Sequence, residues 1–147
     1  MDERIERIEQ LGIEAYDDIV RVWGNAGLTW RPTGRDSEER LTQEMARDDA
    51  AYFGAFVNER LVGVALATYD GRKGWINRVA VEPDYRRTGL ARKLLDACEL
   101  FLKRRGALVI ACLIEEWNFP SMDLFVSCGY VFHKDIHYFS KRESPEA

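Results

Sequence analysis

The spacing of apolar positions changes several times along the chain, and each change marks an element. Ile5, Ile8, Leu11 and Ile13 predict a short first strand and its exit. From Ala15 to Trp23, Tyr16, Ile19, Val20 and Trp23 recur at helical spacing, and Gly24-Asn25 ends that helix. Residues 28–34 are a loop rich in chain breakers, after which Asp36 or Ser37 caps a second helix carrying Leu41 and Met45. Helix, loop and helix form a cap-like unit. Tyr52 to Val57 and Leu61 to Tyr69 are β-branched and aromatic runs joined by Asn58-Glu59-Arg60, which reads as a hairpin. A turn over 70–74 leads into a third antiparallel strand, Trp75 to Val81.

After Val81 the chain passes through Glu82-Pro83-Asp84-Tyr85-Arg86-Arg87-Thr88-Gly89 into an amphipathic helix. Its buried face is Leu90, Leu94, Cys98 and Phe101 or Leu102, and it stops at Gly106. Leu108 to Ile114 is apolar without alternation, which predicts a strand covered on both faces. A right-handed crossover would lay it parallel to the strand ending at Val81. Pro120 suits the first turn of a last helix through Ser127, closed by Gly129. Tyr130 to His133 and Ile136 to Phe139 then predict a closing hairpin. Residues 1–141 read as one domain, and 142–147 as a short disordered tail. The expected architecture is α/β: a mixed, mostly antiparallel sheet with one central parallel strand pair joined by a helix crossover.

The segment 79–92 carries the most chemistry. A helix N-terminus offers unpaired backbone N–H groups and the positive end of the helix dipole, and a loop without bulky side chains lets phosphate oxygens reach them. Gly89 provides the opening. A plain strand-turn-helix with a surface arginine pair fits the same residues, whereas a Walker-type loop does not, since no Gly-Lys-Ser/Thr triplet occurs in the chain. Arg86-x-x-Gly89-x-Ala91, with its strand before and helix after, resembles the acetyl-coenzyme A signature of the GNAT superfamily of N-acetyltransferases. The order of predicted elements is also that of the family.

The resemblance implies acetyl-coenzyme A as co-substrate. Val79, Ala80 and Val81 would pair with its pantetheine arm through backbone groups, and Arg86, Arg87, Thr88, Gly89, Leu90, Ala91 and Arg92 would surround its pyrophosphate. Asn118, Leu124-Phe125 and Gly129-Tyr130 are similar to a second family pattern. Asn118 would cap the last helix or reach the pantetheine amides, two compatible roles. Phe125 stands where the family commonly has the tyrosine that protonates the departing thiolate, and a phenyl ring has no proton to give. Water, Tyr130 or Cys128 could take that part, or the reaction could be slow.

Composition narrows the partners. With 147 residues the chain suits one core, and 21 basic against 25 acidic residues give a charge of −4, which points away from nucleic acid. Basic residues gather locally at Arg86, Arg87, Arg92 and Lys93, as a phosphorylated small ligand would require; Lys103 to Arg105 complement a helix C-terminus. Cys98, Cys112 and Cys128 lie in apolar elements and, with His133 and His137, show no metal-ligand spacing. They suggest free thiols and a cytoplasmic protein, and no apolar segment is long enough to span a membrane.

An acceptor amine must be neutral to attack. At pH 7, deprotonation costs about 4.6 kcal/mol for a lysine with pKa ~10.4 and about 1 kcal/mol for an α-amine near ~7.8. Glu115 and Glu116, at the end of the expected buried strand, are the candidate bases, with Glu115 sharing a face with Leu113; two solvated acids would read the same. Trp30 and Arg31, with Trp23 and Asp36, are the binding candidates in the cap, although both tryptophans would equally serve to pack it. The expected activity is transfer of an acetyl group to a primary amine, either a small molecule or a protein N-terminal or lysine amine. A non-catalytic acyl-coenzyme A-binding module stands as the alternative, and exposed edge strands leave room for a homodimer.

Overall fold

The computed structural model describes residues 4–147. Five strands form one sheet in the order β1-β2-β3-β4-β5: Glu6–Gln10, Ala50–Val57, Arg60–Tyr69, Gly74–Val81 and Ile110–Ala111. The first four are antiparallel neighbours and β4 runs parallel to β5. The helices are α1 (Tyr16–Asn25), α2 (Glu38–Met45), α3 (Leu90–Arg104) and α4 (Phe119–Ser127).

Two cores flank the sheet. On one face Leu90, Leu94, Leu95, Cys98, Phe101 and Leu102 of α3 pack on Ala51, Val62, Ala65 and Ile76. Burying each such leucine contributes about 2 kcal/mol. On the other face Ile19, Val22 and Trp23 of α1 and Leu41 of α2 cover Tyr52, Leu61, Val64 and Leu66. The helical spacing of the cap and the strand runs of β2 to β4 thus become two buried layers. Ser37, not Asp36, caps α2, its hydroxyl accepting from the Arg40 amide at 3.1 Å. Asn58 and Glu59 both take positive φ (49° and 70°), the geometry of a two-residue hairpin turn.

The C-terminal third departs from the expected pattern. Of the run 108–114 only Ile110 and Ala111 pair, with Gly74 and Trp75, and Leu108 and Leu113 are exposed, so this strand is not covered on both faces. Residues 130–141 form no strand, and the closing hairpin expected there is absent; the parallel pair therefore stands at the sheet's edge. The physical reason is that strand propensity acts through neighbours, and a two-residue β5 offers too short an edge for a hairpin to pair with. Residues 142–147 turn back along the 31–35 loop, where the Arg31 guanidinium donates to the Pro145 carbonyl.

Candidate active site

The short pairing of β4 with β5 opens the sheet. Beyond Trp75, β4 has no strand beside its outer edge among the described residues. A bulge lies at the same place: Val64 pairs with Ala80 and Leu66 with Asn77, so Arg78 and Val79 oppose Ala65 alone. Arg78 takes φ 57°, which an arginine rarely adopts.

At the far end of β4 a short turn, Pro83–Tyr85, leads into α3. Arg86 donates through Nε to the Val81 carbonyl at 3.0 Å and the Thr88 hydroxyl donates to the Tyr85 carbonyl at 2.7 Å, so both side chains brace the turn. Gly89 takes φ 85°, and a Cβ there would meet no atom within 4 Å. Among the described residues, the backbone amides of Arg87, Thr88, Gly89, Leu90, Ala91 and Arg92 donate to no other group of the protein. The first amide of α3 with an intramolecular acceptor is that of Lys93, bonded to the Gly89 carbonyl at 3.1 Å. A row of free donors at the positive end of a 15-residue helix, behind a glycine that leaves it uncovered, is chemically suited to a diphosphate.

Arg92 ties this turn to α4, donating to the Ser127 hydroxyl at 3.1 Å. Asn118 caps α4, its side-chain oxygen accepting from the Ser121 amide at 3.3 Å, and the same residue lines a cavity of about 380 Å³ between cap and sheet. Ser121 and Phe125, one turn apart on α4, line it too, as do Val79 and Arg78 of β4 and Cys112 and Glu115 beyond β5. The cap contributes Leu28, Arg35, Asp36 and Glu44, and Tyr52 donates to Glu44 at 2.6 Å. Burial first, and the Glu44 carboxylate second, push the Tyr52 phenol up from its ordinary value; burial pushes the Cys112 thiol up to about 11.

The expected site residues are therefore spread. Val79, Asn118, Phe125 and Glu115 line the cavity; Glu116 is exposed and outside it. Ala80 and Val81 are buried, in the cap core and the α3 core respectively. Trp30 and Arg31 do not line the cavity. The Trp30 indole donates to the Asp36 carbonyl and the Arg31 amide to the Asp36 carboxylate, so both shape the loop that buries Asp36. Tyr130 donates its hydroxyl to Glu99 on α3 at 2.8 Å, outside the cavity. His133 and His137 are exposed. Arg78, Arg35, Glu44, Tyr52, Cys112 and Ser121 were not foreseen; the one available signal was the polar pair Asn77-Arg78 inside a mostly apolar strand.

A family model described as the acetyltransferase (GNAT) family matches residues 16–130, and the chain belongs to that family. Its fold is similar to aminoglycoside N-acetyltransferase AAC(6')-Iy bound to the bisubstrate analogue CoA-S-monomethyl-acetylneamine (TM-score 0.78, 17% identity, 94% of this chain and 99% of that one). It is also similar to an aminoglycoside 6'-N-acetyltransferase from Acinetobacter haemolyticus (TM-score 0.76, 19% identity, 94% and 99%). A third similar structure is a PaiA N-acetyltransferase from Thermoplasma acidophilum in complex with coenzyme A (TM-score 0.73, 21% identity, 84% and 88%). The protein is an acetyl-coenzyme A-dependent N-acetyltransferase. No helix among the described residues is long and apolar enough to cross a membrane.

Proposed function

We propose that the protein acetylates the primary amine of a small molecule in the cavity between cap and sheet. The observation that carries this reading is the joining of two features by α4: the free amides at 87–92 on one side, and a cavity of about 380 Å³ lined by Asp36, Glu44 and Glu115 on the other. That volume suits a small ligand. These three carboxylates outnumber the two guanidiniums in the lining, Arg35 and Arg78, a balance that favours an ammonium group on arrival. The similar structures whose acceptors are named act on aminoglycosides, which are also small-molecule amines.

Acetyl-coenzyme A supplies the acetyl thioester. The amides of 87–92 hold its diphosphate, and the open edge of β4 from Ile76 to Val81 receives the pantetheine arm. The Val79 N–H is the donor for the thioester carbonyl oxygen, where negative charge grows during attack. Glu115, whose backbone carbonyl accepts from the Asn118 amide but whose carboxylate has no partner among the described residues, takes the ammonium proton directly or through water. Phe125 offers no proton, so water serves the leaving thiolate, whose pKa near ~8.5 makes this tolerable.

Thiol release from acetyl-coenzyme A, measured against a panel of small amines and short peptides, tests the proposal. Release with small amines and little with peptides is expected. Release with peptides alone would replace the small acceptor by a protein, and release with neither would overturn the reading.

A further inference from the structure

The cavity contains a cation whose donors the protein leaves unused. The Arg78 side chain is only 16% exposed and its guanidinium lies over the Trp23 ring, 4.2 Å from the centroid. Nε and Nη2 are buried without a hydrogen bond; the nearest carboxylate oxygen, Asp36 Oδ2, is 3.6 Å from Nη2, beyond hydrogen-bond reach. Nη1 makes no hydrogen bond either and is not sealed from solvent. Burial lowers the pKa of Arg78 from its ordinary value, but a guanidinium stays charged at neutral pH.

Three features put this cation at the acceptor end. The strained φ of 57° and the β4 bulge turn the Arg78 side chain toward Trp23 on the cap side, one residue from the Val79 amide. The contact with the Trp23 ring holds the guanidinium in place, and Nη1, the nitrogen not sealed from solvent, is free to donate to a carboxylate. The one carboxylate paired with Arg78 among the described residues is already engaged: Asp36 accepts from the Arg31 amide at 2.9 Å and from Arg35 Nε at 3.2 Å through the same oxygen that approaches Arg78. Asp36 is shared between Arg35 and Arg78 and forms only a long ion pair with Arg78, so an acceptor with both an amine and a carboxylate answers Glu115 and Arg78 together, which a purely cationic acceptor does not.

We propose that Arg78 anchors a carboxylate of the acceptor, so that the acceptors are amines that also bear a carboxylate, of the amino-acid type. This deepens the small-amine reading and rests on it. The experiment compares kcat/KM for thiol release with L-amino acids and with their carboxamides, in which a neutral amide replaces the carboxylate. It uses the wild type, Arg78→Lys and Arg78→Gln, with acetyl-coenzyme A affinity followed by calorimetry. The wild type should prefer acids over amides at least tenfold, although the amides have the less basic amine. Arg78→Lys should keep part of that preference and Arg78→Gln abolish it, with acetyl-coenzyme A affinity unchanged in both. A purely structural role would change activity on acids and amides alike and leave their ratio intact. Equal use of acids and amides by the wild type, or a ratio that survives in Arg78→Gln, overturns the inference alone. Absence of release with every amine overturns the parent reading as well.

Discussion

Phe125 and Tyr130 meet edge to face, ring centroids 4.9 Å apart and planes at 83°, so that one ring fronts the cavity while the other carries its hydroxyl away to Glu99. The aromatic pair thus keeps its only phenol out of the reaction space. Burial first, then Glu99, pushes the Tyr130 phenol up from its ordinary value, which keeps it protonated and donating to the carboxylate.

Phe125→Tyr should therefore place a new hydroxyl in the cavity and raise kcat about tenfold, a modest contribution for a general acid. Tyr130→Phe should leave kcat unchanged and lower stability by about 1 kcal/mol through loss of the bond to Glu99. Steady-state rates and urea melts of the two variants separate the roles. A fall in kcat for Tyr130→Phe with Phe125 intact would return the acid role to Tyr130.

Gly89 offers a test of charge apart from shape. Its φ of 85° makes any side chain costly, yet space is open around it, and Asn and Asp tolerate this conformation better than other residues. Gly89→Asn and Gly89→Asp should thus fold with similar stability. Acetyl-coenzyme A should bind the Asp variant at least about tenfold more weakly than the Asn variant, because only Asp sets an anion beside the phosphates. Equal affinities would place the diphosphate elsewhere.

Cys112 reports on the cavity without mutation. With a pKa pushed up to about 11, roughly one thiol in a thousand is thiolate at pH 8, so alkylation should be slow and should accelerate as pH rises toward 11. Saturating coenzyme A should protect it. Cys98, fully buried with a thiol pushed up to about 12, should not react in the folded protein at either pH. Peptide mapping of alkylated samples distinguishes the sites.

Asp70 fixes the turn that starts β4. Its carboxylate accepts from the amides of Lys73 (2.7 Å) and Arg72 (2.8 Å) and from the Trp75 indole (3.0 Å). The Lys73 amide first, then the indole and the Arg72 amide, hold its pKa at about 2. A folded-state pKa below the unfolded value of ~3.9 gives stability that is present above pH 4 and lost as pH falls through about 2. Asp70→Ala should lower Tm at pH 7, with the difference from wild type shrinking between about pH 4 and pH 2. A gap independent of pH would mean that the turn does not depend on the carboxylate.

Much of this was readable from spacing. The α3 face from Leu90 to Leu102, the runs of β2 to β4 and the glycine before α3 follow from periodicity and from the few residues that accept left-handed backbone. The extent of β5 was not, because an apolar run such as 108–114 looks alike whether it pairs along its length or only at Ile110 and Ala111. Nor did local pattern show that Trp30 and Arg31 hydrogen-bond Asp36, since that contact depends on how the whole cap loop folds over the buried carboxylate. Arg78 itself was hidden for a related reason: the bulge that turns it arises from the register of β4 against β3, a long-range property that no local pattern encodes.

The account rests on the free amides of 87–92 receiving a diphosphate. Backbone amide NMR during titration with acetyl-coenzyme A tests this most directly. Large downfield shifts should concentrate at Arg87 to Arg92 and be reproduced by adenosine 3',5'-bisphosphate 5'-linked to a second phosphate, with no pantetheine arm. Saturable binding that leaves those six amides unmoved would contradict it.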